Sequence, residues 1–99
     1  MKEPTLFDRT IEQRFWDFHE ANPNVYYALV SLARQAREAG KKRVGIAMLW
    51  ERMRWELWVR THGDDYRLNN NFRSRYARLI AAQEPDLADV FETRKLRAA

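Results

Sequence analysis

The sequence predicts an all-α domain, and three observations carry that expectation. Apolar residues recur at three- and four-residue spacing through most of the chain. Helix-boundary residues (Asn22-Pro23, Gly40, Glu84-Pro85) punctuate those stretches at helix-length intervals. No convincing strand run interrupts them. Four to five helices are expected in one compact domain over 1–99, with 1–6 and 95–99 frayed and a helix-turn-helix-like three-helix core. A small β-hairpin around Asp65–Leu68 is the one addition left open. A chain of 99 residues buries only roughly 65% of its unfolded surface, so its core must be efficient. Four Trp, four Tyr and five Phe meet that need, because large aromatics bury much area per ordered residue.

The first helix is expected over Phe7–Ala21, where Phe7, Ile11, Phe15 and Phe18 form one apolar stripe. Thr10 and Gln13 make a capping box if it starts late. Asn22-Pro23 ends it, since a residue before proline is pushed out of helical geometry. The same pair starts the second helix, Asn22 capping and Pro23 at the first position, with Asn24 as a rival cap. Val25, Leu29, Leu32, Ala33 and Ala36 form its buried face, and Gly40 stands where a left-handed residue closes a helix. Lys41-Lys42-Arg43 is a basic link. Val44-Gly45-Ile46 reads either as a short extended piece or as the start of the third helix, which runs to about Val59. Ile46, Leu49, Met53 and Leu57 are its core stripe, with Trp50 beside it.

Residues 61–69 are rich in turn formers and read as loop. The fourth helix starts within Asn69–Asn71, one Asn capping it, and turns Phe72, Tyr76, Leu79 and Ile80 inward. Glu84-Pro85-Asp86 breaks the chain and caps a short fifth helix with Leu87, Val90 and Phe91 inward, before a basic tail over 94–99.

Several kinds of chemistry are excluded or disfavoured. There is no cysteine, hence no disulfide, thiolate zinc site or Cys nucleophile. The histidines are His19 and His62 only; His62 with Asp64 and Asp65 reads as a solvated turn, so no metal is expected. The carboxylate pairs Asp64/Asp65 and Glu84/Asp86 flank turns and read as caps. With three glycines the chain has no phosphate loop, nucleophile elbow or dinucleotide fingerprint. The expectation is therefore no enzyme and no cofactor. A charged N-terminal stretch and the lack of any ~20-residue apolar run point to a cytoplasmic protein off the membrane, as monomer or homodimer.

Charge is more informative. The net charge is +4, but residues 1–40 carry five Lys/Arg against six Asp/Glu, whereas 41–78 carry ten against four. Fourteen of the 18 basic residues are Arg, whose planar fork suits phosphate, base or carboxylate recognition. On the fourth helix, Phe72, Tyr76, Leu79 and Ile80 fall within an arc of about 100°. Asn71, Ser74 and Arg78 lie opposite, flanked by Arg73 and Arg75. Asn and Arg are the side chains that read adenine and guanine edges in the major groove. The leading expectation is a small non-catalytic binder of DNA or another nucleic acid. Asn70, Asn71, Ser74, Arg75 and Arg78 would face the groove, Lys41, Lys42 and Arg43 would hold phosphates, and Arg52 and Arg54 would add backbone contacts. Two features count against a compact helix-turn-helix: a preceding loop of about nine residues where three or four is usual, and no wing. The bland alternative is a merely solvated polar face.

The third helix holds Trp50, Trp55 and Trp58, which cannot share one face: Trp50 and Trp58 lie about 80° apart and Trp55 lies off that arc. One of the three is therefore expected near the surface or under another helix, and the simpler expectation packs the rings against the first helix. The alternative is a protein-binding patch of Trp55 and Trp58 rimmed by Arg54 and Arg52, because Trp and Arg are enriched at interface hot spots.

The segments Phe18-His19, Asn22-Pro23, Val25-Tyr26, Val44-Gly45-Ile46, Leu49-Trp50-Glu51, Arg54-Trp55-Glu56, Leu68-Asn69-Asn70-Asn71, Ser74-Arg75-Tyr76-Ala77-Arg78 and Glu84-Pro85-Asp86-Leu87 occur in this order. Together they resemble a family of short proteins of bacterial genomes, phages and prophages, over about residues 15–97. The resemblance brings no activity and no catalytic residues. It implies a mobile-element setting, where proteins of this size are commonly small DNA-binding regulators, inhibitors of host machinery (anti-defence proteins among them) or, less often, pieces of a phage particle.

Overall fold

Thr10 decides where the first helix, α1 (Ile11–Ala21), begins. Its hydroxyl accepts from the Gln13 backbone N–H at 3.1 Å, and the Gln13 side chain accepts from the Thr10 N–H at 3.1 Å. This is the reciprocal capping box, which satisfies two otherwise orphaned donors. The computed structural model describes residues 10–60 and 70–91, so the expectations for Phe7, for a hairpin at 65–68 and for the tail over 94–99 fall outside the described residues. Asn22 ends α1 in a way its sequence does not announce. Its side-chain amide donates back to the Phe18 carbonyl at 3.0 Å, so it caps the end of α1 and makes no side-chain cap to the next helix. That helix, α2 (Pro23–Glu38), starts on the fixed φ of Pro23, and Asn24 lies inside it.

Gly40 closes α2 as expected. It has φ +88°, the Lys41 N–H bonds the Ala36 carbonyl at 3.0 Å, and the Gly40 N–H bonds the Arg37 carbonyl at 2.9 Å. These two bonds define the Schellman motif. Both readings of Val44–Ile46 hold in part. Val44 forms an isolated parallel bridge with Phe91, its N–H donating to the Val90 carbonyl at 2.8 Å, and Ile46 starts α3 (Ile46–Arg60).

A single 3₁₀ turn, Asn70–Phe72, runs directly into α4 (Arg73–Gln83). The residue before α4 is therefore Phe72, already helical and without a side-chain cap bond of its own, while Asn69 lies outside the described residues. The expected fifth helix is one 3₁₀ turn, Pro85–Leu87, although Leu87, Val90 and Phe91 are buried as expected.

Among the described residues the fold is all-α. α2 packs on α1, α3 and α4, and α3 packs on α4. The core is made by Phe15, Val25, Leu29, Ala33, Leu49, Trp50, Met53, Tyr76 and Ile80, with Leu87, Val90 and Phe91 as its lid, and no charged side chain is buried in it. Phe15 is central: its ring meets Tyr76 at 4.8 Å and Phe72 at 5.6 Å, both edge to face, the geometry that the ring quadrupoles favour. The ring partner of Trp50 is on α4, where the indole lies 5.9 Å from Tyr76. Trp50 is fully buried, and its Nε1–H has no acceptor among the described residues.

Glu84 and Asp86 do not cap the last turn, where no side-chain cap bond forms. They grip Arg34 of α2 instead. The guanidinium donates to both Asp86 carboxylate oxygens at 2.9 and 3.0 Å and to Glu84 Oε1 at 2.8 Å. The Tyr26 hydroxyl donates to the other Glu84 oxygen at 2.9 Å. The bidentate Arg34 contact holds the Asp86 carboxyl below its ordinary value, and burial together with Glu84 raises that of the Tyr26 hydroxyl. This clamp fixes the C-terminal segment against α2.

Candidate nucleic-acid interface

Residues 70–83 contain no Asp or Glu and three Arg. Their inward face is the expected one: Phe72, Tyr76 and Ile80 are buried, Leu79 is half-buried, and Ala77 joins them. Asn70, Asn71, Ser74 and Arg78 are exposed, with Arg73 and Arg75 half-buried on the flanks. Two of these arginines are steered by the turn that precedes α4. Arg73 Nε donates to the Asn70 carbonyl at 3.2 Å, and Arg75 Nη1 to the Asn71 carbonyl at 3.5 Å.

The basic link is placed by the Gly40 turn. Lys41, Lys42 and Arg43 are exposed. With Arg37, Gly40 and Asp89 they line an open cavity of about 380 Å³. The Asp89 carboxylate there is taken up by Arg37 at 3.4 Å, which leaves the link's own cations facing solvent.

The arginines divide into two classes by their partners. Arg34 and Arg37 are held by the C-terminal carboxylates. On α3, Arg52 meets Glu56 at 3.2 Å, Arg54 meets Glu51 at 3.4 Å, and Arg60 meets Glu56 at 3.9 Å. Among the described residues, Lys41, Lys42, Arg43, Arg73, Arg75 and Arg78 have no carboxylate within 4 Å. The sequence grouped Arg52 and Arg54 with the binding set, but their charge is largely compensated on their own helix. Among the described residues, the unpaired cations lie on the link and on α4.

The third helix is apolar on two sides. Trp50, Leu49 and Met53 face the core, yet Trp55 is 58% exposed and Trp58 56%. Their rings lie 5.4 Å apart, with Val59 and Met48 also exposed on the same helix. The expectation that these rings pack on α1 is thus replaced by an outward-facing indole pair.

A second exposed tryptophan site was not anticipated. Trp16 on α1 is 47% exposed, and it lines a shallow cleft of about 240 Å³ with Glu12, Phe15, Arg75, Arg78 and Leu79. The signal was available: a Trp one position after the Phe15 stripe falls on the polar side of an amphipathic helix. Nearby, His19 stacks on Phe15 at 6.0 Å and meets Tyr26 and Tyr76 edge to face. Its Nδ1 lies 3.4 Å from the Tyr76 hydroxyl, and burial lowers its pKa below 6.5. Burial alone pushes the Tyr76 hydroxyl up.

His62, Asp64 and Asp65 lie outside the described residues. Among the described residues no group of three His, Asp or Glu side chains is placed to hold a metal ion, and no helix is long and apolar enough to cross a membrane. In comparison with known proteins, no family model, no curated protein and no solved structure matches the chain.

Proposed function

We propose that this protein is a small non-catalytic nucleic-acid-binding domain, an accessory protein of a phage or other mobile element. One observation carries the reading: among the described residues, cations without a carboxylate within 4 Å lie on the Lys41–Arg43 link and on α4, which has no acidic residue along its length. Uncompensated, exposed Lys and Arg release counterions from a phosphate backbone, and that release supplies the sequence-independent part of nucleic-acid affinity. Asn70, Asn71, Ser74 and Arg78 add hydrogen-bonding groups suited to base edges on the same exposed face. Lys41, Lys42 and Arg43 hold phosphate. Arg52 and Arg54, neutralised by Glu56 and Glu51, are left out of the interface.

The test is a fluorescence titration with mixed-sequence duplex and single-stranded DNA at low and moderate salt. Affinity is expected to fall steeply with salt. Lys42→Ala should lower the magnitude of the salt slope by about 1, whereas Arg78→Ala should weaken binding in a sequence-dependent way. Absence of binding to either DNA at low salt refutes the reading. A second reading then takes over, favoured by the exposed Trp55–Trp58 pair beside Arg54: docking on a host or phage protein, an anti-defence inhibitor being one form. It predicts that Trp55→Ala abolishes capture of that partner while leaving the fold intact.

A further inference from the structure

The cleft between α1 and α4 combines groups that the charge argument alone does not need. Its floor is apolar, made by Phe15 and Leu79. One wall is the half-exposed indole of Trp16, and the other carries Arg75 and Arg78, three residues apart and so on one side of α4. Trp16 is not a loose surface ring. It sits edge to face on Phe15 at 5.1 Å and on His19 at 6.0 Å, and both neighbours belong to the aromatic cluster that joins the two helices. The indole is therefore pre-oriented, and little ordering entropy is lost when a flat ligand stacks on it. Glu12 also lines the cleft, yet no Glu12–Arg75 or Glu12–Arg78 N···O distance falls within 4 Å, so among the described residues neither guanidinium is ion-paired.

An indole, two guanidiniums without an ion-pair partner among the described residues and one carboxylate acceptor match a nucleotide unit better than a bare anion. A small phosphate ion would gain nothing from the indole and would be repelled by Glu12. A base gains a stacking face, its phosphates gain Arg75 and Arg78, and its amino or imino donors gain the Glu12 carboxylate. The volume of about 240 Å³ suits one nucleotide and is below the usual range for larger ligands. A base inside a duplex is already stacked on both faces and cannot enter such a cleft. We infer that the α1–α4 cleft seats one unstacked nucleotide, so that the nucleic acid bound by α4 is single-stranded where it meets Trp16. The inference rests on the nucleic-acid reading and names the form of its ligand.

The experiment compares one mixed-sequence oligonucleotide, single-stranded and as its duplex, by fluorescence anisotropy with the full chain. The single strand is expected to bind more tightly. Trp16→Leu should weaken the single strand about tenfold or more and leave the duplex unchanged, because stacking on an aromatic is lost. Trp16→Phe, which keeps a stacking face, should recover most of the loss. In a Trp55→Phe, Trp58→Phe background, Trp16 is the one exposed indole left among the described residues beside the fully buried Trp50, so quenching by the single strand gives a readout of Trp16 that does not depend on the Leu variant folding. Equal binding of strand and duplex, with no effect of Trp16→Leu or no quenching, overturns the single-strand inference and leaves the nucleic-acid reading standing if Arg78→Ala still weakens binding. Failure of both DNA forms to bind at low salt overturns both.

Discussion

Gly40 offers a test in which each contribution can be worked out separately. Its φ of +88° lies in the left-handed region, and an added Cβ would meet nothing within 4 Å. Gly40→Ala therefore creates no clash, and its whole cost is the backbone. Holding an L-residue in left-handed geometry costs about 1–2 kcal/mol. Alanine also restricts the unfolded chain, which offsets about 0.4–1 kcal/mol. The net expectation is a destabilisation of about 1 kcal/mol, which for a domain of this size lowers Tm by roughly 4–8 °C. Asparagine tolerates the left-handed region better, so Gly40→Asn should fall between the two. Thermal melts followed by far-ultraviolet circular dichroism measure all three proteins. An unchanged or raised Tm for Gly40→Ala would mean that the two Schellman bonds to Arg37 and Ala36 do not form in solution. The turn that aims Lys41–Arg43 outward would then have to be redrawn.

Two further predictions concern the core. Trp50→Phe removes bulk but also removes a buried Nε1–H that has no acceptor among the described residues, and leaving such a donor unsatisfied costs about 1–3 kcal/mol. Its destabilisation, measured by urea unfolding, should fall well short of the 3–5 kcal/mol usual for truncating a buried aromatic to alanine; a loss as large as Trp50→Ala would show that the indole nitrogen finds an acceptor. His19 gives a pH dependence. Its pKa is lowered below 6.5 by burial, so in both states it is neutral above that value and contributes nothing to the slope. As pH falls below 6.5 the unfolded chain binds the proton first, and stability falls until the folded imidazole is protonated too. Urea midpoints between neutral pH and about pH 5 should drop for the native chain, and this part of the drop should vanish in His19→Gln. An identical decline in both would assign it to other groups.

Local patterns made much of this fold readable. The Thr10–Gln13 box, the Gly40 turn and the inward face of α4 each rest on residues within one or two helical turns of one another. What sequence reasoning missed is long-range. Glu84 and Asp86 look like turn caps because Arg34, the group that claims them, lies about 50 residues earlier. The Val44–Phe91 bridge is hidden for the same reason. Asn22-Pro23 suggests a cap for α2, whereas the Asn22 amide turns backwards to Phe18, a choice that nearby sequence leaves open. For the candidate interface, the composition of α4 was legible, but the sorting of arginines into compensated and uncompensated sets depends on which carboxylates come within reach. The Trp16 cleft needed two helices to be brought side by side. Only the three-dimensional arrangement separates Trp50, sunk against Tyr76, from Trp55 and Trp58 on the outside of the same helix.

The bridge from Val44 to Phe91 also bears on the order in which the chain assembles. α1 and α2 are joined by Asn22 alone and can pair as soon as both are made. α3 and α4 instead lie inside a closed loop whose two ends, Val44 and Val90, are tied by one backbone bond of 2.8 Å. Loop-closure entropy rises only slowly with length, so the tie is thermodynamically cheap. Contacts of such separation nonetheless form late, because the chain must give up its freedom before the contact repays it. The expected order is therefore that α1 and α2 form first and the second half closes on them, with the Arg34 clamp on α2 joining the far end of the loop.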